Sequence, residues 1–182
     1  MNLFGPTTYR NICGNYYCLV VVDDYSIYTY VFFLHDKADT YDIFKKFMTR
    51  AENEFELKVK KVRSDNGSEF RNTRVEKWCD EKGIKHEFST KYTPKQNGLV
   101  ERKNRTLIDM ARSMLSEYNV SDSFWAEAIN TACHASNRLY QSSKANVMKV
   151  FFLDIHLVAR LIGSTTKLMV LLKMHMMYSL MK

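Results

Sequence analysis

Asp65 and Glu101 are two carboxylates with thirty-five residues between them, and each stands where a chain element would present it. Asp65 lies in "VRSDNG", where an alternation of apolar and basic residues runs into an Asn66-Gly67 turn. Glu101 lies in "NGLVERKNRTL", shortly after Asn97, a residue type that caps helices. A strand-end Asp and a helix-start Glu that converge make a divalent-metal site, because magnesium takes hard oxygen ligands and shares them with phosphates. Two such ions about 3.5–4 Å apart activate a nucleophile and stabilise a leaving oxygen in phosphodiester chemistry. Arg102, Lys103 and Arg105 follow Glu101 closely and suit phosphate, and Asn104 and Arg105 share its helical face at three and four residues' distance.

These residues need a scaffold, and the sequence suggests one. "NYYCLVVVDDYSIYTYVFFL" reads as a hairpin, with apolar and β-branched runs over 16–22 and 28–34 and turn chemistry over 23–26. Asp23 and Asp24 belong to that turn, where aspartates cap free backbone N–H groups. Helical spacing of Ile43, Phe44, Phe47 and Ala51 predicts a helix over 37–56. "LKVKKVRSDNG" predicts a strand, 69–82 a second helix stopped by Gly83, and "IKHEFS" a further strand. The polar stretch 89–96, with Pro94 inside it, predicts a loop before a helix whose apolar stripe is Val100, Leu107, Ala111 and Met114. A last helix is expected over 122–139, with Phe124, Trp125, Ala128, Ile129 and Ala132 facing the core.

The 182 residues suit one domain with an appendage, and 46% hydrophobic and 13% aromatic content is enough to close a core. The formal charge of +7 is concentrated in residues 57–116, which hold 15 basic and 8 acidic groups. Such a segment suits a polyanionic partner, nucleic acid above all. Cys13, Cys18, Cys79 and Cys133 form no C-x-x-C pair and indicate reduced thiols rather than a zinc site. His35, His86 and His134 have no ligand spacing, and Trp78 and Trp125 read as core. Residues 146–182 hold six of the ten methionines and one acid, Asp154, with no clean period. Arg160 and Lys173 interrupt their apolar runs short of the ~20 residues that span a membrane.

The stretches "NLFGP", "YYCLVVVDDYSIYTYVFFL", "VRSDNGSEF", "YTPKQNGLVERKNRTLIDMARSML" and "FWAEAINTACHASNR", in this order, resemble the integrase catalytic core of copia-type retrotransposon polyproteins over about residues 2–140. The resemblance implies an α/β fold of the ribonuclease-H-like kind, a mixed five-stranded sheet flanked by helices. It implies magnesium-dependent (or manganese-dependent) strand transfer of element DNA into a target by an Asp, Asp, Glu set. Asp65 matches the second aspartate and Glu101 the glutamate, both metal-binding. The first aspartate belongs in the family's "DLFGP", and Asn2 stands in its place. An amide offers a carbonyl oxygen but no charge, so catalysis is expected to be impaired. The resemblance also implies DNA contacts for Lys95, Arg102, Lys103, Asn104 and Arg105, and a mobile active-site loop containing Pro94, Gln96, Asn97 and Gly98.

Because the sequence starts at Met1-Asn2, the first strand is expected to be truncated, the family's preceding zinc-binding segment to be missing, and stability to be marginal. The domain reading is therefore an amino-terminally truncated core at 1–140 and an aberrant tail of low order at 141–182, attributable to frame slippage in the encoding DNA. The expected partners are element-end and target DNA and no membrane, with homo-oligomerisation open. The expected location is nuclear or cytoplasmic, without secretion, since no basic and apolar leader begins the chain. Two rivals stand beside this reading: a non-catalytic DNA-binding or interaction protein derived from such a core, and a ribonuclease-H-like nuclease.

Overall fold

A computed structural model describes residues 1–89 and 94–143, with the side chains of 94–97 and 141–143 excepted. All but the first three residues of the expected tail lie outside that range. The elements run β1 (Asn2–Phe4), β2 (Tyr17–Val22), β3 (Thr29–Leu34), α1 (Thr40–Phe55), β4 (Lys61–Ser64), α2 (Thr73–Lys82), β5 (Lys85–Phe88), α3 (Pro94–Glu117) and α4 (Trp125–Ser143). Short 3₁₀ turns at Lys37–Asp39 and Asp122–Phe124 lead into α1 and α4. No helix among the described residues is long and apolar enough to cross a membrane.

The strands form two ladders among the described residues. In the first, β2 lies between β1 and β3, antiparallel to both, with Asn2 opposite Val20 and Val20 opposite Val31. In the second, β4 and β5 run parallel, with Ser64 opposite Phe88. The single five-stranded sheet expected from the resemblance is thus corrected to a three-stranded ladder and a two-stranded one. β1 has only three residues, and just before it the Met1 amino group donates to Arg63 O of β4 at 2.6 Å. One such bond does not make a ladder.

β2 explains why its sequence is an unbroken apolar run. Leu19 and Val21 pack with Phe44 and Met48 of α1, Val62 of β4, and Val75 and Trp78 of α2. Cys18 and Val20, alternating with them, pack on the other face with Val100, Leu107 and Ala111 of α3 and Trp125, Ile129 and Ala132 of α4. A strand covered on both faces has no position where a polar side chain can meet water, so period-2 alternation disappears. Both tryptophans take the expected core role: Trp78 meets Phe44 edge-on at 5.6 Å, and Trp125 meets Phe33 at 5.4 Å.

Helix ends follow local chemistry, and several differ from expectation; α4, for one, runs to Ser143 rather than 139. α2 starts at Thr73 rather than 69 because the N–H groups of Phe70 and Arg71 turn back to Gly67 O. Asn72 then caps the helix through bonds accepted from Arg74 N and Val75 N. α3 starts at Pro94 rather than after Asn97. This corrects the loop reading: Pro94, Gln96, Asn97 and Gly98 lie within the helix, and the undescribed segment is 90–93. Proline suits a first helical turn, since the N–H it lacks would have no helical partner and its φ is already helical.

Two polar anchors outside the site yield predictions. Asn137 of α4 accepts from Thr29 N at 2.9 Å and donates to Thr29 O at 2.8 Å, which satisfies buried backbone at the start of β3. Asn137→Ala should cost about 1–3 kcal/mol, chiefly through the orphaned N–H. Cys133 Sγ still reaches the carbonyl at 3.2 Å. An unchanged denaturation midpoint would contradict this.

Glu87 lies among Lys85 at 3.0 Å, Lys61 at 3.1 Å and Arg63 at 3.4 Å. Hydrogen bonds from Lys85 and then Lys61 lower its carboxyl pKa from 4.5 to about 2. A lowered carboxyl adds stability above its unfolded value, and that stability is lost as pH falls from about 4.5 toward about 2. Glu87→Gln should flatten that interval of the stability curve, by a small amount for a surface cluster; an unaltered acid limb would refute it.

Candidate active site

Asp65 is the first residue beyond β4, and three contacts around it set its direction. Its Oδ1 accepts from Gly67 N at 3.0 Å, an Asx-type turn that fixes the side chain over its own backbone. Asn66 Nδ2 donates to Ser89 O at 2.8 Å and so ties the same turn to the end of β5. The buried Ser64 hydroxyl donates to Asp65 O at 2.9 Å and lies 2.9 Å from His86 Nε2. With the hydroxyl hydrogen given to the carbonyl, His86 must supply the hydrogen in the second contact, and burial holds that imidazole below its ordinary pKa. Asn66 and Gly67 therefore aim Asp65, as expected, while the Ser64–His86 link leaves no periodic trace in the sequence.

Asn2 reaches Asp65 from the neighbouring strand. Its Nδ2 donates to Asp65 Oδ2 at 2.8 Å, and its Oδ1 accepts a bond from Asn104 Nδ2 of α3. An ionised carboxylate only accepts, so it sets the polarity of the whole chain: the Asn2 NH₂ must face Asp65, and the Asn104 NH₂ must face Asn2. Asn104 is 7% exposed, and its own Oδ1 is buried without a hydrogen-bond partner among the described residues. A signal for Asn104 exists in the sequence. It occupies the apolar stripe of α3 between Val100 and Leu107, where a polar side chain needs a partner inside.

The structure divides the remaining expected residues. Glu101 lies three residues before Asn104, about 4.5 Å back along the α3 axis, and is exposed. Arg102 and Arg105 are exposed as well, with Arg102 Nε bonded to Gly98 O at 3.0 Å. Lys103 leans onto α4 instead, reaching Ser136 Oγ at 3.1 Å and lying 5.5 Å from the Tyr140 ring centroid. The side chain of Lys95 lies outside the described residues. Among the described residues no ion pair joins Arg105 to Glu101. Asp23 accepts from Ser26 N at 2.8 Å in the hairpin turn, and Asp24 faces Arg63 at 3.7 Å. Asp23 keeps the turn-capping role expected of it, while Asp24 stands in the same turn and pairs with Arg63.

The donor set suits a divalent cation in part. Asp65 and Glu101 carry the anionic oxygens that magnesium or manganese takes. Asn2 turns an NH₂ group, not its oxygen, toward Asp65. No group of three His, Cys, Asp or Glu side chains among the described residues has metal-ligand geometry. By donor type Asp65 and Glu101 suit one cation, whereas a pair of cations lacks its third carboxylate.

Comparison with known proteins bears on the family. The integrase core domain family matches residues 3–94, a span that contains Asp65 and leaves Asn2 and Glu101 just outside. The chain is 40% identical over 134 residues to the retrovirus-related Pol polyprotein from transposon TNT 1-94 of Nicotiana tabacum, covering 74% of this chain and 10% of that polyprotein. It is 36% identical over 123 residues to the corresponding polyprotein from transposon RE2 of Arabidopsis thaliana, covering 68% and 8%. It is 27% identical over 140 residues to the transposon Ty1-DR4 Gag-Pol polyprotein of Saccharomyces cerevisiae, covering 76% and 9%. The chain thus spans about a tenth or less of the length of these relatives. With an α/β scaffold, these matches and the ordered motifs in agreement, the chain belongs to the integrase core domain family, as found in copia-type retrotransposon Pol polyproteins.

Proposed function

We propose that the chain acts as a retrotransposon integrase core that binds DNA and has the residues for divalent-metal-dependent strand transfer, with the chemical step impaired by Asn2. The observation that carries this reading is the convergence of Asn2, Asp65 and Asn104 in one hydrogen-bonded chain, one helical turn from Glu101. In a ribonuclease-H-like arrangement Asp65 and Glu101 hold the cation, Mg²⁺ or Mn²⁺. When bound, it lowers the barrier to exchanging one phosphodiester for another, in which a DNA hydroxyl oxygen bonds to phosphorus and an oxygen of the target strand leaves.

The protein's part in that exchange is positional. The turn bonds from Gly67 N and Asn66 hold Asp65 in place. Arg102 and Arg105 extend into solvent beside Glu101, where guanidinium groups suit phosphate oxygens, and Lys95 belongs to the same basic segment. Elements 57–116 carry the excess positive charge and form the DNA-facing part of the core. Asn2 contributes no negative charge where the family has an aspartate, which weakens the hold on metal. The same bond favours a second reading, a DNA-binding protein without catalysis, because Asp65 already has a protein donor on each oxygen.

Two experiments test this. Strand transfer by Asn2→Asp should exceed that of the unaltered chain at least about a hundredfold, equal to about 2.7 kcal/mol of barrier. Equal rates would refute the impairment, and cleavage without joining would indicate a nuclease. Separately, the double variant Arg102→Glu, Arg105→Glu should weaken DNA binding and reduce its log-log salt slope by about 0.9 for each phosphate that is no longer neutralised. Unchanged affinity and slope would remove these arginines from the interface.

A further inference from the structure

We propose that Asn2 does more than withhold a charge: its carboxamide competes with the divalent cation for Asp65. This rests on the reading that Asp65 and Glu101 hold that cation. Both Asp65 oxygens already have donors, Oδ1 from Gly67 N at 3.0 Å and Oδ2 from Asn2 Nδ2 at 2.8 Å. The Gly67 bond belongs to the local turn and leaves the outer lone pairs open. The Asn2 bond differs, because it places an NH₂ group with partial positive charge on the side of Asp65 that faces β1. A cation approaching from that side meets a donor where it needs an oxygen.

Asn104 makes the competition persistent. Asn2 can present its oxygen to a cation only by reversing its amide, which sets its NH₂ against the NH₂ of Asn104. Asn104 must then reverse too, bringing its buried Oδ1, which has no partner among the described residues, round to accept from Asn2. The two amides therefore have two self-consistent polarities. One has NH₂ toward Asp65 and suits the cation-free site, and the other has oxygen toward Asp65 and suits the loaded site. Because Asn104 is held in a packed stripe between Val100 and Leu107, the pair must switch together.

Competition differs from simple charge loss in the sign of one substitution. If Asn2 only lacks a charge, Asn2→Ala removes a weak oxygen ligand and binds metal no better than the unaltered chain. If Asn2 competes, Asn2→Ala frees Asp65 and binds metal more tightly. The test is calorimetric titration of Mn²⁺ into the full 182-residue chain and its variants in phosphate-free buffer, with Asp65→Asn as the control for other acidic sites. Thermal unfolding in chelator and in Mn²⁺ provides a second readout.

Asn2→Ala, and Asn2→Val as a strand-compatible alternative should Ala fold poorly, are expected to bind Mn²⁺ about tenfold more tightly than the unaltered chain. They should melt lower in chelator and recover more with Mn²⁺, and Asn2→Asp should bind more tightly still. Binding by Asn2→Ala and Asn2→Val no tighter than the unaltered chain, with Asn2→Asp tight, overturns the competition and leaves the cation site standing. Absence of any Asp65-dependent Mn²⁺ binding, Asn2→Asp included, overturns both.

Discussion

The hydrogen bond from Asn2 to Asp65 is the interaction on which the arrangement depends. It joins the three-stranded ladder, through β1, to the parallel pair, through the residue after β4, with the Met1 to Arg63 bond alongside. The apolar cluster beneath, from Leu19 and Val21 to Val62 and Trp78, pulls the same two pieces together without fixing their register. Directional bonds supply that register. A carboxylate placed there imposes an order on every neighbour, because it can only accept, and the polarity passes through Asn2 to Asn104 and so to α3.

That relation links the core to the surface chemistry. α3 is held by Val100, Leu107 and Ala111 against Cys18 and Val20, and Asn104 takes its place in the same stripe. Burying an amide there is tolerable only because Asn2 meets it. Once Asn104 is fixed, the helix presents Glu101, Arg102 and Arg105 outward one turn before or beside it. The acid that precedes Arg102 on this helix lies one turn from the buried Asn104 that meets Asn2, with exposed cations beside it that suit phosphate.

Much of this is legible from residue patterns. The hairpin, the helices and the turn that aims Asp65 follow from β-branched runs, 3.6-residue spacing, and Asn-Gly and Gly83 signals, all local effects. The start of α3 differs from expectation because Pro94 reads equally as a loop breaker and as a first-turn residue. The split into two ladders depends on how many backbone bonds a three-residue strand can make across space, which no local pattern records. Asn104 stands out in the sequence for its distance from Glu101, yet its burial follows from a different spacing, to Val100 and Leu107, that puts it inside. The Ser64–His86 link and the Asn137 anchor join residues distant in sequence, and only the tertiary fold brings them together.

The central claim is that Asp65 and Glu101, delivered by different elements, share one cation beside Asn2. Anomalous diffraction from crystals of the full chain soaked in Mn²⁺ tests it most directly. The expected result is one anomalous peak bridging the two carboxylates, with the Asn2 oxygen rather than its NH₂ turned toward the metal. A well-ordered Glu101 pointing away from Asp65, with manganese bound elsewhere or not at all, would contradict it.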